Sequence, residues 1–167
     1  MKKLLIFIYI AIILGFSSCQ KQSEDIKIDT ANEKDAGKTK FTKMGEVFFQ
    51  DSLKALKKKI DVEIAETEET RHLGLMYRES MKEEEGMLFI FPFEEPQGFY
   101  MRNTIIPLDI IFVNSKKKIV KIHKRTEPFS EKTLPSFKPS IYVVEVNAGF
   151  TDKFGIKEGD YIDWRRD

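Results

Sequence analysis

From Met44 onward the apolar residues of this chain arrive in short runs interleaved with polar ones, three of them closed by Pro92, Asn114 and Asn147. The plainest is KIDVEIAET (59–67), where Ile60, Val62 and Ile64 alternate with Asp61, Glu63 and Ala65. A repeat of two residues puts one face of an extended chain in a core and the other in water. EVFFQ (46–50), MLFIF (87–91), IIPLDIIFV (105–113), KKIVKIH (117–123), IYVVEVN (141–147) and YIDWR (161–165) are further runs rich in β-branched and aromatic residues. The polar pair Asn114-Ser115 suits a hairpin between two of them. The pattern predicts a mainly β domain over 44–167, with α+β as the alternative class. Its form is a compact, antiparallel, partly barrel-like sheet of about eight short strands with one or two short helices.

One helix is expected after Thr67, an N-cap residue followed by Glu68 and Glu69 where the helix dipole favours acids, with Leu73, Met76 and Tyr77 at helical spacing. Gly74 keeps it short. FPFEEPQG before Phe99 reads as a proline-broken loop, and 124–140, with three prolines and no period, as a long surface loop. With 41% hydrophobic residues and fourteen Phe among 167, a domain of this size can bury roughly two thirds of its unfolded surface without a disulfide.

The first residues, MKKLLIFIYIAIILGFSSC, place two lysines before an apolar run from Leu4 to Phe16. That run is shorter than the ~20 residues a helix needs to cross a bilayer and fits the hydrophobic region of a signal peptide. Phe16-Ser17-Ser18-Cys19 resembles the lipobox of bacterial lipoproteins, with Phe16 standing where an aliphatic residue is usual. The resemblance implies removal of 1–18, a diacylglycerol on the sulfur of Cys19 and an acylated new amino terminus. Cys19 is the only cysteine, so its lipidation leaves no thiol for catalysis. Several acyl chains would hold the chain at a membrane stably, at about 0.8 kcal/mol per buried CH₂. From Gln20 to Lys43 the sequence is polar and aperiodic, a tether spanning about 25–30 Å as a flexible coil. Gln20, rather than Asp, follows the cysteine, which favours the outer membrane facing the periplasm. Once Lys2 and Lys3 are removed with the leader, 26 bases stand against 27 acids, and no nucleic-acid partner is expected.

Arg71 with Gly74-Leu75-Met76, Gly86-Met87-Leu88-Phe89, Tyr100-Met101-Arg102-Asn103-Thr104, Ile106-Pro107-Leu108-Asp109 and the turn from Gly155 to Gly159-Asp160 occur in one order. Together with VVEVNAG they resemble the domain-of-unknown-function 192 family over about residues 60–164. The resemblance implies a small β-rich domain, often secreted or lipid-anchored, and brings no established activity.

Arg71, Arg102, Asn103, Thr104 and Asp109 form the candidate polar cluster, for ligand binding or for structure. Asp109 shares a strand face with Ile105, Pro107 and Ile111, and a buried carboxylate must find a cation or donors. A structural lock to Arg71 or to backbone, a ligand contact and acid–base chemistry are the readings open to it, with Arg71 the expected partner. Asn103 and Thr104 read as a strand corner. Met76, Met81, Met87 and Met101 could hold Cu(I) but are expected to pack on nearby aromatics. His72 and His123 have no zinc-like spacing, and no serine sits in a nucleophile elbow. No catalytic residue, metal or cofactor is assigned. The expected function is a lipid-anchored envelope module, non-enzymatic, that binds a small ligand or an envelope protein. An enzyme acting on glycan or peptidoglycan is the alternative, and a copper-handling protein a weaker one.

Overall fold

A computed structural model describes residues 40–167; the expected leader, Cys19 and the tether up to residue 39 lie outside the described residues. The described elements are β1 (Gly45–Gln50), β2 (Leu56–Ala65), α1 (Glu68–Leu73), β3 (Glu85–Phe99), β4 (Leu108–Val113), β5 (Ile119–His123), β6 (Leu134–Asn147), α2 (Phe150–Lys153) and β7 (Tyr161–Arg166). The seven strands form one sheet in the order β5-β4-β6-β3-β2-β1-β7. Its edges meet at one corner, where Lys118 bridges Tyr161 and the Ile119 N–H donates to the Asp160 carbonyl at 2.8 Å. The sheet is therefore a curled half-barrel, and the mainly β, partly barrel-like reading of the sequence holds.

Every pair of neighbours is antiparallel except β2 and β3, which run parallel. A parallel pair needs a crossover of a dozen or more residues, and here residues 66–84, with α1, provide it. The helix starts where the sequence places it. Thr67 and Thr70 form a reciprocal capping box, and the helix ends at Gly74, whose N–H donates to the Thr70 carbonyl at a φ of 49°.

The two stretches expected to be loops are partly strand. β3 runs through Pro92 and Pro96 to Phe99, and β6 begins at Leu134, so that Pro96 faces Pro139 and Gly98 faces Pro135. Proline has no N–H for a ladder and is normally a mark against strand. The ladder accommodates it through register shifts between Ile90 and Glu95 and between Pro96 and Gly98.

Side-chain alternation along the strands feeds two cores. Val47, Phe49, Ile60, Val62, Ile111, Val144, Val146 and Ile162 fill the concave interior. On the opposite face of β3, β4 and β6, a second core of Met87, Phe89, Ile110, Phe112 and Val143 is covered by Leu75, Met101 and Ile106 from the connecting segments. That outer layer builds the site.

Candidate functional site

A pocket of about 260 Å³ opens between α1 and the outer face of the sheet. Gly74 lets the chain turn tightly onto the sheet, since a side chain there would meet the Phe89 ring at 3.1 Å. Phe89 and Phe91 from β3 and Phe99 at its end form the aromatic wall, Phe99 standing edge-on to Phe89 at 5.1 Å between centroids. Met76, Leu73 and Tyr100 close the rest. The corner around Asn103 pins this roof: Asn103 has a φ of 59°, and its carbonyl accepts from the Tyr77 N–H at 2.8 Å.

Glu145 on β6 reaches the pocket from the sheet. It lies in register between Met87 of β3 and Ile110 of β4 and is 5% exposed. Gly86 makes room for the strand on which it sits, because a Cβ at 86 would stand 2.7 Å from the Glu145 carbonyl oxygen. Among the described residues the carboxyl has no hydrogen-bond or ion-pair partner. Burial alone raises its pKa from 4.5 to about 8, so at neutral pH Glu145 is mostly a neutral acid able to donate a hydrogen bond.

The predicted cluster divides. Arg71 lies on the pocket wall, its guanidinium donating to the carbonyls of Glu66 and of Ile90, the latter at 3.1 Å, and stacked 5.4 Å from the Phe91 ring. Thr104 is buried and also lines the pocket; its N–H donates to the Met101 carbonyl at 3.0 Å. Arg102 is exposed over Tyr100 at 5.0 Å. Asn103 is the corner residue that the sequence suggested.

Asp109 is elsewhere, and Arg71 is not its partner. Fully buried, it faces the concave core and accepts four hydrogen bonds. The Arg125 and Gly149 N–H groups donate to Oδ1 at 2.8 and 3.1 Å, and the Thr151 N–H and hydroxyl to Oδ2 at 2.9 and 2.6 Å. Gly149, at a φ of 87°, turns its N–H toward the carboxylate. The lock is therefore Asp to backbone, and it fixes the turn into α2. Arg71 could not serve because the strand's alternation sends Asp109 through the sheet, away from α1.

The methionines pack. Met87 and Met101 are in the outer core, Met81 packs against it, and the Met101 sulfur accepts from the Thr126 hydroxyl at 3.1 Å. Sequence reasoning missed Glu145, although IYVVEVN carried the same signal as Asp109, a single carboxylate inside an apolar strand.

The model of the DUF192 family, described as Uncharacterized ACR, matches residues 51–164. No curated protein matches the chain. The crystal structure of a candidate transcription regulator from Sinorhizobium meliloti 1021 is 33% identical with a TM-score of 0.70, over 75% of this chain and 98% of that one. A protein of unknown function from Novosphingobium aromaticivorans DSM 12444 is 35% identical with a TM-score of 0.66, over 71% and 84%.

Proposed function

The chain belongs to the DUF192 family of uncharacterized ACR proteins, and from that premise we propose that it is a small-ligand-binding module carried on a lipidated amino terminus in the cell envelope. In this reading residues 1–18 are removed as a signal peptide, Cys19 carries the lipid, residues to 43 form the tether, and the domain from 44 works at the outer membrane facing the periplasm. The leader supports the location, with its lysines, short apolar run and Ser-Ser-Cys end. The balanced charge lacks the positive excess that a phosphate backbone requires, and nucleic acid is left out of the reading.

One observation carries the ligand-binding part. A buried polar group without a partner costs free energy, and the Glu145 carboxyl, 5% exposed and bonded to none of the described residues, is the one that stands on the wall of an aromatic pocket large enough for a small molecule. A ligand that satisfied Glu145 would recover part of that cost. The test is a ligand-observed NMR screen of small aromatic and aliphatic fragments against the full chain and against Glu145→Leu. Fragments that bind the wild type and lose binding in the variant are expected; an absence of hits, or hits indifferent to the substitution, sinks the reading.

A second reading rests on the same group, since a carboxyl held protonated at neutral pH is what a glycan-cleaving enzyme needs as its general acid. Glu68 is the other carboxyl on the pocket wall. Release of reducing ends from peptidoglycan, abolished by Glu145→Gln, would favour it over simple binding.

A further inference from the structure

We propose that the pocket selects ligands whose apolar body ends in an oxygen acceptor, a carboxylate, amide or other acyl group received by Glu145, and that it discriminates against amines of the same shape. The inference rests on the ligand-binding reading and names the class of ligand.

The pocket's polar equipment is the argument. Apart from the two acids, the polar groups on its wall are all able to donate: the Arg71 guanidinium, His72, the Tyr100 hydroxyl and the Thr104 hydroxyl. Thr104 reaches its own acceptor, the Arg102 carbonyl, only at 3.5 Å and has capacity to spare. Glu145 itself is a donor while it keeps its proton, and its pKa near 8 keeps it so at neutral pH.

An ammonium group would have to approach a wall that already carries the Arg71 cation. The Phe91 face that could have received it is occupied by that guanidinium. For an acceptor oxygen the same guanidinium is an attraction. The rings of Phe89 and Phe99 share the pocket wall with Glu145, so the body of the ligand is aromatic or branched aliphatic. Arg71 bonds to the Ile90 carbonyl, three residues along β3 from the Met87 that flanks Glu145, or about 10 Å at strand spacing. A longer ligand could place a second anionic group there.

The charged and titratable groups that face this space are Glu68, Arg71 and His72 from α1, Tyr100 from the following roof and Glu145 from β6. Met87 and Phe89 of β3 and Ile110 of β4 bring no charge. Proton-linked binding is therefore assigned to Glu145, and His72→Gln separates the two groups: a pH response that survives it belongs to Glu145, and one lost with it overturns the assignment.

Phenylacetate, phenylacetamide and phenethylamine share a ring and a chain length and differ in the head group, so they are the probes. Their dissociation constants are measured by NMR titration of the full chain at several pH values from 6 to 9. The expected result is binding of the acid and the amide, with phenethylamine weaker. Phenylacetate affinity should fall about tenfold by pH 9 as Glu145 ionises. Glu145→Gln, which has no carboxyl proton to lose, should lose the pH response; Glu145→Leu should lose binding. Preferential binding of phenethylamine, tightening as pH rises, overturns the class and leaves the pocket reading standing. No binding by any of the three overturns both.

Discussion

Glu145→Gln isolates the cost of burying a carboxyl without a partner, and the pH axis separates that cost from every other effect of the substitution. In the unfolded chain the carboxyl ionises at about its ordinary 4.5, and in the folded protein at about 8. Between those values the folded state holds a proton that the unfolded state has released. Stability therefore falls as pH rises through the window and levels off above about 8. At about 1.4 kcal/mol per pH unit the full span amounts to roughly 4–5 kcal/mol, most of it already lost by pH 7. The glutamine variant has no proton to release and lacks this slope. The other carboxyls with shifted values, Glu46, Glu66, Glu94, Asp152, Glu158 and Asp163, are all held low. For Glu46 the cause is foremost the Lys59 ammonium, with Lys43 and Arg165 beside it, and its value is about 2. What these groups contribute is present above their ordinary values and lost only toward acid, outside the window. Urea denaturation at intervals from pH 4 to 9, followed by fluorescence of Trp164, the only tryptophan and one packed on the core and on Tyr142, reports the difference. The wild type should lose stability relative to Glu145→Gln by several kcal/mol across that range. Parallel profiles would refute the reasoning, because they would mean that Glu145 ionises in the folded protein at no cost.

Asp109→Asn removes acceptor capacity facing four donors, the two from Thr151 fully buried, and should cost about 3–5 kcal/mol, read as a lower urea midpoint. Arg71→Gln should cost about 1 kcal/mol through the lost Ile90 contact and the Phe91 stack. The double variant should be additive within about 0.5 kcal/mol; a coupling well above that would restore the Arg71–Asp109 pair that the geometry removes. In a bacterial host, Cys19→Ser should abolish labelling of the chain by an alkynyl fatty acid and release it from the membrane fraction. Labelling that survives the substitution would dispose of the lipid anchor.

The strand pattern, the capped helix and the corner at Asn103 were readable because each rests on local chemistry: alternation, a Thr that caps, an Asn that tolerates positive φ. The proline-bearing halves of β3 and β6 were not. A local rule counts Pro92, Pro96, Pro135 and Pro139 against strand, and only the two register shifts, with Pro92 left unpaired in the first and Pro96 set against Pro139, let the ladder continue. The parallel β2–β3 pair was missed for a related reason, since strand direction depends on where the crossover through α1 returns. Arg71 and Asp109 were matched by residue type, which ignores the sheet lying between them.

Asp109 and Glu145 sit one step apart on the same pair of strands, Asp109 opposite Val146 and Ile110 opposite Glu145. Each is a lone carboxylate in an apolar run, and sequence could not tell their roles apart. Their faces do. Asp109 points to the side where the chain returns through 125 and 149–151, and four donors converge on it, so its bonding is complete within the molecule. Glu145 points to the side roofed by α1, on the wall of the pocket it shares with Phe89, Phe91 and Phe99, and none of the described residues bonds to it. A residue whose bonding the fold completes contributes stability. One left uncompleted beside an opening carries a standing cost that hydrophobic Val or Leu would avoid, and a ligand able to complete it would offset that cost. The search for function in this chain therefore belongs at Glu145, and the acceptor-against-amine comparison is the experiment in which the two carboxylates should behave least alike.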